Sequence, residues 1–174
     1  RTFTPIVHYI APPFEQVVNM LAGLQSFFDV TQGQPSIMRA AVLSFAFVYI
    51  HPLADGNGRV HRFLVNDLLY RDGILSEPMI LPISSAISDS TQHRRDYDKI
   101  LDTVSKPLMA QLIGEYQFEI TQIFEDGIKS NLHLGNVDNA LPIWRFLDLT
   151  PHVLYLAKLV SRVIQDDLYQ ESHY

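Results

Sequence analysis

Apolar residues at Phe14, Val17, Val18, Leu21, Leu24 and Phe28 recur at spacings of three and four, the period of one helix face. The run Gln32-Gly33-Gln34-Pro35-Ser36 breaks that pattern. Ser36 then fits an N-cap for a second helix reaching about Ile50. That segment is apolar almost all round, through Ala40, Ala41, Val42, Leu43, Phe45, Ala46, Phe47 and Val48. Such a helix belongs at the centre of a core. A third helix is predicted from near Gly58 to about Tyr70, with Phe63, Leu64, Leu68 and Leu69 facing inward and Asp72-Gly73 ending it. Ahead of all three, Ile6-Val7-His8-Tyr9-Ile10 is a short β-branched and aromatic run stopped by Pro12-Pro13. It reads as a strand or extended flap at the domain edge.

The second half is less regular. Pro78, Pro82 and several serines between Pro78 and Ser90 argue against one long helix there. Tyr97, Ile100, Leu101 and Val104 predict a helix stopped near Pro107, and a longer one is expected over 108–124. Gly127 to Asn139 reads as a polar connection. Thr150-Pro151 supplies a capping hydroxyl and a proline at the first helical position. Leu154, Ala157, Val160 and Ile164 then form a stripe running to about Leu168. No repeat and no alternation of strands with helices is visible, so the expected fold class is mainly α, a helical bundle.

Composition narrows the function classes. The chain has 174 residues, formal net charge −6 and no cysteine. The acidic balance argues against a general nucleic-acid binder, which needs a basic face to release counterions. Without cysteine there is no disulfide framework and no thiolate site, as expected of a reducing compartment such as the cytoplasm. The longest apolar run, Ala40 to Ile50, falls short of the roughly 20 residues of a membrane span. Neither nucleic acid nor membrane is expected as a partner. The chain begins at Arg1 without a methionine and reads as a fragment that may lack elements on either side.

Candidate chemistry concentrates in His51-Pro52-Leu53-Ala54-Asp55-Gly56-Asn57-Gly58-Arg59-Val60-His61-Arg62. Gly56-Asn57-Gly58 lies between two apolar helical stretches. Glycines permit positive φ and close backbone approach. Successive N–H groups leading into a helix N-terminus form an anion nest. Asn57 tolerates the left-handed region and can add a side-chain donor. Arg59 and Arg62 lie one turn apart, and two guanidinium forks beside a nest suit a polyphosphate better than a single carboxylate. Asp55 is the type of lone carboxylate that holds magnesium beside phosphates. His51 is placed to take a proton from an attacking hydroxyl. Taken singly, these residues also admit a plain turn, a structural histidine, a helix cap and an ion-paired surface. A zinc-type pair of His51 and Asp55 lacks further ligands at suitable spacing.

The run resembles the signature of the Fic family (filamentation induced by cAMP), His-Pro-Phe-x-Asp/Glu-Gly-Asn-Gly-Arg-x-x-Arg. It departs only at Leu53, where phenylalanine is usual. The resemblance covers roughly residues 5 to 110. It implies a helical fold with a β-hairpin flap, here at about residues 1–12 of a core spanning 1–115, followed by a C-terminal helical extension over 116–174.

The resemblance also implies a reaction, the transfer of AMP from ATP to a Tyr, Thr or Ser hydroxyl of a protein target with release of pyrophosphate. Self-modification is a further outcome. His51 would be the base, Asp55 would hold Mg2+, and Gly56, Asn57, Gly58, Arg59 and Arg62 would bind the phosphates. Tyr97 would line the adenine pocket or serve as a core aromatic. Ile6, Val7, His8 and Tyr9 would form a flap pairing with an extended target segment. Gly58 stands where the related Doc kinases carry lysine, which favours nucleotidyl transfer over phosphate transfer. Two other readings of the same site are removal of AMP from a modified protein and a restrained or non-catalytic regulatory module. The family's inhibitory helix, Ser/Thr-x-x-x-Glu-Gly/Asn, has its nearest match at Thr121 to Glu125, although its expected place is upstream of this fragment.

Overall fold

The computed structural model describes residues 6–76, 79–125 and 127–171, with only the backbone described for 166–171. In chain order the elements are α1 (Phe14–Val30), α2 (Ser36–Ile50), α3 (Asn57–Arg71), α4 (Ile83–Ser88), α5 (Thr91–Gln111), β1 (Tyr116–Ile123), β2 (Lys129–Leu134), α6 (Leu141–Arg145) and α7 (Thr150–Glu171). The class is mainly α with one small antiparallel hairpin.

Helix α2 is the centre, as its all-round apolar sequence predicts, and it packs against α1, α3 and α7. Ala40, Ala41 and Ser44 are fully buried small residues that let neighbouring helices approach closely. Phe45 fills the middle of the core, against Val65, Leu68 and Leu69 of α3 and Leu156, Leu159 and Val160 of α7. A second, smaller cluster joins Ile10, Leu108, Leu112, Ala140 and Trp144.

A buried arginine clasps one end of the α2–α3 pair. Arg39 Nε donates to Thr31 Oγ1 at 3.1 Å and Nη2 to the Phe28 carbonyl at 3.0 Å, while Nη1 forms a short ion pair with Asp72. The Phe28 ring lies 5.1 Å below the guanidinium. An ion pair this buried resists removal of one partner, which would leave the other charge uncompensated. With the ends of α1, α2 and α3 tied there, the loop between α2 and α3 is presented at the opposite end.

Several expectations need correction. Residues 6–13 carry no strand. Their backbone is anchored instead, with Ile10 buried and its carbonyl accepting from Trp144 Nε1 at 3.1 Å. Residues 1–5 of the expected flap lie outside the described residues. Ser36 is the first helical residue of α2 and Pro35 occupies the cap position without a side-chain bond. Phe14, Val18 and Phe63 are exposed.

Pro107 does not end a helix but sits inside α5. It lies on an exposed face, where the carbonyl it deprives of a donor can be solvated. Of the helix expected over 108–124 only the part to Gln111 is helical, as the end of α5, and the hairpin takes 116–134, across its remainder and much of the expected polar connection. The strands pair from Tyr116↔Leu134 to Ile123↔Lys129, with an irregularity between Phe118 and Gln122. Thr121 to Ile123 is therefore strand, with Glu125 in the turn beyond it, so the nearest match to an inhibitory helix is not helical. In α7 the buried stripe is His152, Leu156, Leu159, Val160 and Val163, whereas Leu154 and Ile164 are exposed. No helix among the described residues is long and apolar enough to cross a membrane.

Candidate active site

Residues 51–56 form the tight link between α2 and α3. Helix α2 ends on His51, whose backbone adopts the left-handed conformation (φ 51°, ψ 51°) while its N–H still reaches the Phe47 carbonyl at 3.0 Å. A non-glycine residue there is strained by roughly 1–2 kcal/mol. Pro52 follows and prevents the helix from continuing. The His51 imidazole is exposed. Its Nδ1 lies 3.2 Å from the Val48 carbonyl. A carbonyl can only accept, so Nδ1 carries the hydrogen, and in the neutral ring Nε2 holds the lone pair.

At the far side of the loop Gly56 is also left-handed (φ 94°) and caps α3. Arg59 and Val60 both donate to its carbonyl, at 2.9 and 3.0 Å. The first-turn N–H groups of α3, those of Asn57 and Gly58 included, thus open toward the loop. Asn57 departs from expectation in two respects. It is helical rather than left-handed, and its amide is fully engaged, donating to the Leu53 carbonyl at 2.6 Å and accepting from the Leu53 N–H at 3.1 Å. The buried side chain staples the loop, so what Asn57 can offer an anion is its backbone N–H.

Asp55 and Arg59 form an ion pair at 2.8 Å, with their side chains 90% and 73% exposed. Arg62, one turn further, has no ion-pair partner among the described residues. It borders an open groove of about 630 Å³ flanked by Phe63, Tyr70 and Ile80. A Cβ on Gly58 would lie 3.3 Å from Arg62 Nη1, and one on Gly56 equally close to Arg59 Nη2. Both glycines therefore leave room for a guanidinium beside the backbone.

His51 opens on a separate cleft of about 540 Å³, bounded by His8 and Tyr9, by Tyr49, and by Asp98 and Asp102 of α5. Of the four expected flap residues, His8 and Tyr9 reach this cleft, Val7 packs on the small cluster, and Ile6 projects into solvent. Tyr9 is held by a short hydrogen bond from its hydroxyl to the Tyr49 carbonyl.

Tyr97 does not stand alone in a pocket. Its ring lies 6.2 Å from His61, 6.3 Å from Phe45 and 6.2 Å from Tyr155. Burial raises its phenol above the usual range despite the opposing charge of Arg62. Beneath it, His61 and His152 meet the Phe45 ring edge-on at 4.6 and 4.7 Å. Both histidines are buried, and burial pushes each down to about 4, so both are neutral at pH 7. The Tyr49 hydroxyl is 2.7 Å from His152 Nε2 and ties α7 to the last turn before His51. Tyr49, His61 and His152 carry no role in the sequence reading. For His61 the signal was available, because Asn57, His61, Val65 and Leu68 follow helical spacing along one buried face.

The loop offers few donors to a divalent cation. Among the described residues no group of three or more His, Cys, Asp or Glu side chains converges on a metal position. Asp55 offers one exposed carboxylate. That suits a cation whose remaining ligands come from phosphate and water, not a resident metal.

Comparison with known proteins finds similarity over the first part of the chain. Residues 2–69 match the Fic/DOC family model. Over 85 residues the chain is 36% identical to "Protein adenylyltransferase fic-1" of Caenorhabditis briggsae, covering 48% of this chain and 15% of that protein. The Caenorhabditis elegans protein of the same name is 33% identical over 84 residues, again 15% of its length. "Protein adenylyltransferase Fic" of Drosophila melanogaster is 49% identical over 43 residues, 25% of this chain and 8% of the fly protein. The matched stretch thus spans a small part of each relative. No solved structure matches the chain.

Proposed function

We propose, from the match of residues 2–69 to the Fic/DOC family model, that the chain is a protein adenylyltransferase using ATP. A hydroxyl of a protein Tyr, Thr or Ser attacks the α-phosphorus, the bond to the β-phosphate oxygen breaks, and pyrophosphate leaves. His51 Nε2 takes the hydroxyl proton. The first-turn N–H groups of α3, from Gly56 to Gly58, would hold the phosphates, with Arg59 and Arg62 neutralising their charge. Asp55 would hold Mg2+, which shields the polyphosphate when bound. Catalysis of this kind rests on positioning and charge stabilisation.

One observation carries the reading. An exposed imidazole with a free Nε2 stands one short loop from a helix N-terminus that carries two arginines. Arg62, without a carboxylate partner among the described residues, favours transfer over a restrained state. Incubation with ATP labelled on the α- or the γ-phosphate tests it, with a cell lysate as acceptor source and Mg2+ present. We expect α-label on the chain or a lysate protein, reduced at least a hundredfold by His51→Ala. Incorporation of γ-label without α-label would instead mean kinase chemistry.

A further inference from the structure

We propose that the cleft beside His51 receives a target segment carrying a lysine or arginine close to its acceptor hydroxyl. This inference rests on the transfer reading and names the chemistry of its acceptor. The wall supplied by α5 places Asp98 and Asp102 one turn apart on one helix face, both lining the cleft with His51. Asp98 is exposed and has no ion-pair partner among the described residues. Asp102 is half-engaged: Lys106 holds one oxygen at 2.8 Å, and the Ser105 hydroxyl lies 3.4 Å from the other. No lysine or arginine is among the residues lining this cleft.

The two sides of His51 therefore differ in sign. Arg59 and Arg62 stand on α3, where a polyphosphate belongs, and neither lines the cleft. A field of this polarity draws a cation in and turns a polyphosphate away. The remaining surfaces suit the stem of a long basic side chain. Tyr9, half-buried and fixed through its hydroxyl, presents its ring at the cleft, backed at 5.9 Å by the buried ring of Tyr49. An aliphatic stem packs on such a surface while its charged end reaches a carboxylate. The nearby His51 Nε2 would then meet a hydroxyl on a neighbouring residue of the same segment.

The test uses the full chain and two fluorescent peptides, each with one threonine, flanked by lysines in one and by glutamates in the other. Binding is read by anisotropy, and AMP incorporation by mass spectrometry with ATP and Mg2+. At low salt the lysine peptide should bind about fivefold tighter, as expected for two partly screened pairs. The gap should close at high salt. Asp98→Lys with Asp102→Lys should invert the preference and leave ATP affinity unchanged, an outcome that misfolding cannot imitate. Asp98→Asn with Asp102→Asn, which should abolish the preference, covers the case in which the lysine pair fails to fold. Equal affinities, or a preference unmoved by either pair, overturn the proposal. So does a fall in ATP affinity with peptide binding intact, which would make the cleft a nucleoside seat. A retained preference with no AMP on any acceptor supports the cleft and overturns the transfer reading. Equal transfer to both peptides does the reverse.

Discussion

Asp55 and Arg59 neutralise each other across the turn that holds Gly56, at 2.8 Å and fully in reach of solvent. The two charges offset each other only weakly at the surface, and a ligand separates them at little cost. A polyphosphate with its cation does so symmetrically, taking Arg59 on one side and Asp55 on the other. We expect Mg2+ alone to bind negligibly and to raise ATP affinity about tenfold in the wild type, equivalent to about 1.4 kcal/mol. In Asp55→Asn the magnesium effect should shrink below about twofold, with the melting temperature unchanged. Titration calorimetry with ATP, with and without Mg2+, measures both.

Gly56 and Gly58 stand two residues apart, yet their substitutions should fail differently. An alanine at Gly56 would have to adopt φ near 94° and would sit 3.3 Å from Arg59. It should cost about 1–2 kcal/mol of stability. Gly58 has ordinary helical geometry, and its added Cβ meets only the flexible end of Arg62 at 3.3 Å. Gly58→Ala should keep stability or gain up to about 1 kcal/mol. It should weaken ATP binding by roughly tenfold, a loss of about 1.4 kcal/mol. Urea denaturation beside nucleotide titration separates the two.

Much of this site was legible because the loop residues are specified by local backbone chemistry. Helix α2 and helix α3 begin and end within a residue or so of the positions read from Ser36, Ile50, Gly58 and Tyr70. What the sequence hid is tertiary. Leu108, Leu112, Tyr116, Ile120 and Phe124 repeat every four residues, which fits a helix face and, being an even spacing, one face of a strand as well. The deciding signal was Gly127, a glycine with positive φ between two strand-like runs. The engaged amide of Asn57 could not be foreseen from the motif alone, because its partner is the backbone of Leu53. In α7 only Val160 of the expected stripe is fully buried, because the helix turns His152 inward, where Phe45 and Tyr49 give it an aromatic surround.

His51 holds a left-handed backbone that costs a non-glycine residue energy. If that strain is kept for function, removing the Cβ should stabilise the fold. His51→Gly is expected to raise stability by about 0.5–1 kcal/mol while AMP incorporation falls at least a hundredfold. His51→Ala should lose activity equally without that gain. Unfolding in urea, run on all three proteins, checks the order. A His51→Gly protein less stable than His51→Ala would show that the turn carries no strain.

The buried pair His61 and His152 makes stability depend on pH. Burial is the main cause for each, opposed by Asp148 at His152 and reinforced by Arg62 at His61. Each has a folded value near 4 against an ordinary 6.5. Between those values the unfolded chain binds protons that the folded chain refuses, so stability rises with pH across that window. It is complete above about 6.5 and is lost progressively as the pH falls toward 4. Melting temperatures should therefore hold between pH 7 and 8 and drop by several degrees between pH 6.5 and 5. Asp89 and Asp148, whose carboxyls are lowered mainly by hydrogen bonds, add a loss of the same sign only at more acidic pH. His152→Gln keeps a neutral partner for the Tyr49 hydroxyl and does not titrate. It should melt lower than the wild type at pH 7.5, with a visibly shallower decline between pH 6.5 and 5. An unchanged slope in that variant would place the titration elsewhere.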